Sequence, residues 1–192
     1  MRKIILASTS ARRKAILTQI GIRFTVENSN FIEDMTQKLP PTTLTKRLSL
    51  GKASVLAEKY ADAIIIAADT VIVFEKKIIG KPHTVEKARL VLKELSGKSH
   101  TVITGVTIID TKIKKKLSFS TKTRVVLKSL TLEEIDAYIK TDEPLDKAGG
   151  YAIQGLGAGL VKKINGDYFN VVGLPIYPLI EQLKKFNIFI YK

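Results

Sequence analysis

Cysteine is absent from the 192-residue chain. Its absence rules out a disulfide framework, a thiolate metal site and a cysteine nucleophile. Histidine is scarce: His83 and His100 are the two present, and neither falls in a metal-ligand spacing or on a zinc-binding helix motif. A membrane-spanning apolar run of ~20 residues is missing as well; the most apolar stretch, residues 63–74, is interrupted by Asp69. Met1-Arg2-Lys3 is followed by only Ile4-Ile5-Leu6-Ala7, too short for a signal-peptide core. Neither a Walker lysine loop nor a serine-hydrolase elbow occurs. The expectation is a soluble, cytoplasmic protein with no membrane partner.

What is present is an ordinary globular balance, 45% hydrophobic and 26% charged. That length can bury a proper core, as one large domain (1–192) or as two small lobes sharing a sheet. Net charge is +14, from 32 Lys and Arg against 18 Asp and Glu. Such an excess attracts polyanions, whether nucleic acid, nucleotide or phosphorylated metabolite, although a lysine-rich proteome gives the same number. The lysines are dispersed, and the dense run 112–116 lies between two strand-like segments, as a solvated hairpin tip would. With no RNA-binding aromatic motif, helix-turn-helix signal or basic stripe, a nucleic-acid partner is not expected.

Residues 3–7 form a short apolar run that reads as a buried strand. A polar turn, Ser8-Thr9-Ser10, leads into a helix over 11–20 stopped by Gly21. Residues 23–27 alternate as a second strand, and 28–41 read as a polar loop ending in Pro40-Pro41. Thr42 caps a long helix to about residue 61. Residues 63–68 are the most strand-like segment, and the strand pattern resumes over 70–74 after Asp69. Gly80-Lys81-Pro82 follows a turn, and a helix is expected over 85–95. Two long strands, 101–109 and 117–127, flank the lysine-rich tip. Thr131 and Glu134 form a capping box for a helix to about 140. Residues 142–159 are loop-rich, 161–164 read as a strand, and 170–186 are partly helical, divided by Pro175 and Pro178. Alternating strands and helices with a long antiparallel pair predict an α/β fold on a mixed sheet.

Four segments carry residue types suited to chemistry. Ser8 to Arg13, at a strand-to-helix junction, offers helix-start N–H groups, hydroxyls and paired arginines, which suit a phosphate chain; an N-cap serine with two solvated arginines is the alternative. Asp69 is costly to bury unless it binds a metal, pairs with a cation or activates water; otherwise it caps a turn where the strand breaks. Gly80-Lys81-Pro82 is a stiff turn presenting one lysine. Asp146-Lys147-Ala148-Gly149-Gly150-Tyr151-Ala152-Ile153-Gln154-Gly155 brings an acid, a base, a ring and an amide, able to grip phosphate and nucleobase. The glycines at 155, 157 and 159 follow no strand and read as a flexible turn. Glu33-Asp34 is surface charge, unless its loop folds over the same site. In that case Glu33 and Asp69 would supply oxygen ligands to a hard cation.

In their order and spacing these segments resemble the Maf family of nucleotide pyrophosphatases, from Ile4 to about Pro175. The likeness is carried by Leu6-Ala7-Ser8-Thr9-Ser10-Ala11-Arg12-Arg13, Ala67-Ala68-Asp69-Thr70-Val71 and Gly80-Lys81-Pro82. It continues with Ser96-Gly97-Lys98-Ser99-His100, the Asp146–Gly155 segment, and Gly166-Asp167-Tyr168 with Gly173-Leu174-Pro175. Ala11 departs from the proline usual before the paired arginines, but alanine also suits a helix start. The resemblance implies a two-lobed, inosine-triphosphatase-like α/β fold with a central twisted mixed sheet flanked by helices and a substrate cleft. It implies hydrolysis of a nucleoside triphosphate between the α and β phosphates, with a divalent cation, Mg²⁺ or Mn²⁺. Asp69 is then the proton acceptor, Glu33 stands near the metal, and Ser8, Ser10, Arg12, Arg13, Lys52 and Lys81 hold phosphates. The Asp-Lys-Ala-Gly…Gln-Gly form resembles the dTTP/UTP branch, in which Arg12, Thr70 and Gln154 match the positions tied to base choice. A nucleotide-binding regulator of cell division without relevant catalysis is the alternative. The oligomeric state stays open to a homodimer.

Overall fold

The computed structural model describes residues 2–35, 37–141 and 143–190. Among the described residues, seven strands form one sheet in the order β2-β1-β3-β5-β6-β7, with β4 paired to β3. They are β1 Lys3–Leu6, β2 Thr25–Val26, β3 Ala63–Phe74, β4 Lys77–Ile79, β5 Ser99–Asp110, β6 Lys115–Leu127 and β7 Val161–Asn165. β1 runs parallel to β2 and β3, whereas β3–β4 and β6–β7 are antiparallel, so the sheet is mixed as the pattern predicts. The helices are α1 Ala11–Gln19, α2 Pro41–Ala57, α3 Val85–Leu95, α4 Leu132–Ile139, α5 Tyr168–Val172 and α6 Ile176–Lys184.

Contacts divide the chain into two compact units. The first comprises residues 1–69, 104–121 and 173–192, the second 70–103 and 122–172. In the first, Ile5, Ala53, Leu56, Ile65 and Ile109 are among the buried core residues. In the second, Ile72, Leu92, Leu95, Val125, Ile135 and Leu160 play that part, with Tyr138 and Tyr151 in the same cluster. Each fully buried leucine or isoleucine stabilises its unit by roughly 1.5–3 kcal/mol before chain entropy is counted.

Local signals set most element ends. Thr84 caps α3 by accepting from the Lys87 N–H, and the Thr131/Glu134 capping box opens α4 as expected. Three expectations are corrected. α2 opens with Pro40 at the cap and Pro41 in its first turn, not with Thr42, because a fixed φ suits a helix start and the missing N–H costs nothing there. β3 runs unbroken through Asp69, since an extended backbone accepts any side chain and the interruption is one of hydropathy alone. Pro178 lies inside the first turn of α6, where proline is tolerated, so the α5–α6 break falls at Gly173 to Pro175.

Candidate functional site

In the first unit, β1 delivers the chain through a four-residue connection, Ala7 to Ser10, into α1. Ser10 caps α1, its hydroxyl accepting from the Arg13 N–H at 3.4 Å. The Arg13 guanidinium folds back, donating from Nη1 to Ser8 Oγ at 3.2 Å and from Nε to the Gly173 carbonyl at 2.9 Å. Arg13 is therefore held, and is not the solvated arginine of the alternative reading. Burial lowers its pKa, while Asp69 and Glu33 oppose that and Arg12 reinforces it. Asp69, Glu33 and Arg12 thus lie within electrostatic reach of Arg13. Arg12 is half-buried.

The core of the site is a three-residue ion group. Lys52 rises from the buried face of α2, Asp69 sits in the middle of β3, and Glu33 comes from the loop before α2. Lys52 Nζ lies 2.5 Å from Asp69 Oδ1 and 2.7 Å from Glu33 Oε1, so one ammonium holds two carboxylates. Asp69 is 5% exposed and Lys52 9%. Burial raises the Asp69 pKa above its ordinary value; Lys52 and Arg13 pull it back, and Glu33 pushes it further up. A carboxylate tuned in this way accepts a proton more readily than a solvated aspartate.

Two packing features put these groups where they are. Gly105 of β5 lies so close to α2 that an added Cβ would stand 2.3 Å from the Thr45 backbone, which draws the helix down onto the sheet. One turn before Lys52, the Ser49 hydroxyl pairs with Thr107 Oγ1 at 2.8 Å, and Thr107 pairs with Ser118 Oγ at 2.8 Å. Meanwhile the Phe31 ring occupies the space above Gly51, where a Cβ would fall 2.3 Å from it. Phe31 thereby seats the loop that carries Glu33 beside the helix that carries Lys52. Sequence reading missed this seat; its only signal was a glycine inside a helix.

The second unit contains the remaining candidates. Thr70 follows Asp69 in β3 and is half-buried, and Lys81 and Gln154 are exposed. The Lys81 turn is stitched to the segment 145–149 by Gly149 N–H to Gly80 O at 3.0 Å and His83 N–H to Leu145 O at 3.1 Å. Gly149, at φ +74°, has no room for a side chain: a Cβ would lie 2.3 Å from Ile72 Cδ1. The Lys147 ammonium is engaged by Asp146 Oδ1 at 2.6 Å and the Glu143 carbonyl at 2.7 Å.

Tyr151 does not offer its ring to a ligand. It is 5% exposed, and its hydroxyl is 2.6 Å from His100 Nε2. Burial lowers the His100 pKa to about 4 and raises that of Tyr151. The glycines expected to form a flexible turn instead lie in a 3-10 segment, Gly155–Leu160. Gly155 and Gly157 pack against Glu143 and Tyr138, two residues the sequence reading passed over. The clue was a hydroxyl-bearing Tyr138 on the apolar face of α4.

The first unit thus sets a buried, cation-paired carboxylate beside a serine- and arginine-bearing helix start. The chain belongs to the family of Maf-like proteins, whose model matches residues 3–186. It is 48% identical over 188 residues to a dTTP/UTP pyrophosphatase of Bacillus cereus, covering 98% of this chain and 97% of that one. A dTTP/UTP pyrophosphatase of Bacillus anthracis is 47% identical over the same length, with the same coverage. Among solved structures, the Ham1 protein of Staphylococcus aureus superposes with a TM-score of 0.50 at 13% identity, covering 83% of this chain and 80% of that one. That likeness supports the α/β mixed-sheet fold. Among the described residues, no helix is long and apolar enough to cross a membrane.

Proposed function

We propose that the protein hydrolyses dTTP and UTP to the nucleoside monophosphate and pyrophosphate. Its relatives carry that activity in their names over nearly their whole length. The observation that carries the reading is the Lys52 ammonium clasped between the Asp69 and Glu33 carboxylates, beside the Ser8–Arg13 helix start. Asp69 accepts the proton of a water whose oxygen attacks the α-phosphorus. The bond from that phosphorus to the bridging oxygen breaks, and pyrophosphate leaves with the electron pair. Arg12, Arg13, Lys52 and Lys81 offset the charge that builds on the leaving group, and Ser8 and Ser10 help seat the phosphates.

The donor set fits a hard divalent cation, Mg²⁺ or Mn²⁺. Two carboxylates already converge on one positive charge, and no group of three acid or histidine donors exists among the described residues. Such a cation keeps several ligands from substrate phosphates and water, and Glu33 and Asp69 would hold it. When bound it supplies charge neutralisation on the phosphates. Gln154, with a neutral amide that both donates and accepts, reads the uracil or thymine edge, and Arg12 and Thr70 contribute to base choice.

The reading is tested by incubating the purified chain with dTTP, UTP, CTP and GTP in Mg²⁺ or Mn²⁺ and identifying the products. Monophosphate and pyrophosphate from dTTP and UTP, with most of the turnover lost in Asp69→Asn, are expected. Nucleotide binding without turnover would favour a regulator over an enzyme.

A further inference from the structure

The span that carries Gln154 closes on itself. A Cβ added to Gly157 would fall 2.4 Å from the Tyr138 hydroxyl oxygen, 2.5 Å from Ala152 O and 2.8 Å from Ala152 N. The two ends of the span 152–157 therefore touch, with no side chain between them. Tyr138 accepts from the Ala152 N–H at 3.1 Å and donates to Glu143 Oε1 at 2.9 Å. Glu143 then accepts from the Gly157 N–H at 3.1 Å on Oε1 and from the Leu156 N–H at 3.2 Å on Oε2. Gly155, at φ +68°, brings the backbone close enough that a Cβ would stand 2.9 Å from Glu143 Oε2. Between the pinned ends, Gln154 is exposed.

We propose that Tyr138 and Glu143 are positioning residues for base selection, a two-residue clamp that fixes the Gln154 amide in place to read a pyrimidine edge. The proposal deepens the functional reading above and rests on Gln154 contacting the base. An amide can tell one base edge from another only if it is held to within about 0.5 Å of the productive geometry. A glycine-rich loop cannot hold it so unless something rigid does. Tyr138 supplies that rigidity because it projects from the buried face of α4, between Ile135 and Ile139 in the core. Burial also raises its pKa, so the hydroxyl remains a donor to Glu143 throughout the neutral range. The clamp costs no ordering when nucleotide binds, because its bonds are already made.

UTP and CTP share sugar and phosphates, while cytosine exchanges donor and acceptor at positions 3 and 4 of the uracil edge. The ratio of their kcat/KM values therefore isolates base reading from phosphate handling. Tyr138→Phe in the intact chain is expected to shrink that ratio by roughly five- to tenfold, the scale of one lost hydrogen bond. Most of the change should appear as raised KM for UTP, with kcat nearly preserved. Glu143→Gln keeps an oxygen acceptor and should retain more discrimination than Glu143→Ala. Gln154→Ala should shrink the ratio at least as far. If Gln154→Ala narrows the ratio while Tyr138→Phe lowers only the melting temperature, the clamp is overturned and the base reading survives. If Gln154→Ala leaves the ratio untouched, or the wild type shows no preference between UTP and CTP, base reading and clamp fall together. A wild type that hydrolyses neither dTTP nor UTP overturns the proposed function itself.

Discussion

The ion group of the first unit and the loop clamp of the second solve opposite problems. Glu33, Lys52 and Asp69 are charged groups whose partners are each other, on a strand, a helix and a helix-docked loop. The Gln154 span is neutral at its tip and pinned by backbone N–H groups donating to Glu143 and Tyr138. On the proposed reading, charge that reacts is held by other charge, which tunes its proton affinity, and an amide that recognises is held by hydrogen bonds that set its position. Damage to the first set should appear in turnover and pH profile, and damage to the second in the choice of base.

The largest break in the comparison is Asp69→Asn. A general base contributes ~10²–10⁴-fold, so turnover should fall by about that factor, with nucleotide binding measured by calorimetry little changed. Near-normal turnover would remove Asp69 from the chemistry. Next is Lys52→Met, which leaves two carboxylates without their shared cation. Breaking a buried pair costs about 3–5 kcal/mol, read as lower urea stability. The sign for pH is clear: Lys52 lowers the Asp69 pKa against burial, so its loss should move the acid limb of kcat/KM to higher pH. An unmoved limb would mean that Lys52 does not tune Asp69.

A pH effect separates the two units further. His100 is neutral in the fold down to about pH 4, whereas the unfolded chain takes up its proton below its ordinary 6.5. Its contribution to stability is complete above pH 6.5 and is lost as pH falls toward 4, an amount of roughly 3 kcal/mol. Removing this titration by His100→Gln should flatten the fall in melting temperature over that window; an unchanged slope would assign the acid sensitivity elsewhere. The smallest effect is expected from Gly51→Ala. Its Cβ must displace the Phe31 ring, at about 1–3 kcal/mol for overpacking, and should lower activity through Glu33 without altering the UTP to CTP ratio. A changed ratio with normal turnover would blur the division between the units.

What the sequence makes legible follows from how local each cause is. α3 runs over Val85–Leu95 as expected, because Thr84 and the apolar periodicity are neighbours in the chain. The α4 capping box is readable for the same reason. Asp69 stands out because a carboxylate in an apolar strand demands a partner, yet the sequence does not show that the strand continues through it. Lys52 enters only through resemblance, and Glu33 only on the condition that its loop folds over the site, since nothing local says that a helix lysine and a loop glutamate meet. The Phe31 seat on Gly51 and the Tyr138–Glu143 clamp depend on side chains meeting across the fold. Tyr151 and Lys147, read as ligand-gripping residues, turn out to be engaged by His100 and by Asp146 with the Glu143 carbonyl.

The central claim is that water attacks the α-phosphorus under the control of Asp69. The most direct measurement is hydrolysis of dTTP in water enriched in heavy oxygen, followed by mass spectrometry of both products. The account predicts the label in the nucleoside monophosphate, unlabelled pyrophosphate, and turnover lowered by ~10²–10⁴-fold with Asp69→Asn. Label in pyrophosphate, or release of orthophosphate in its place, would contradict it.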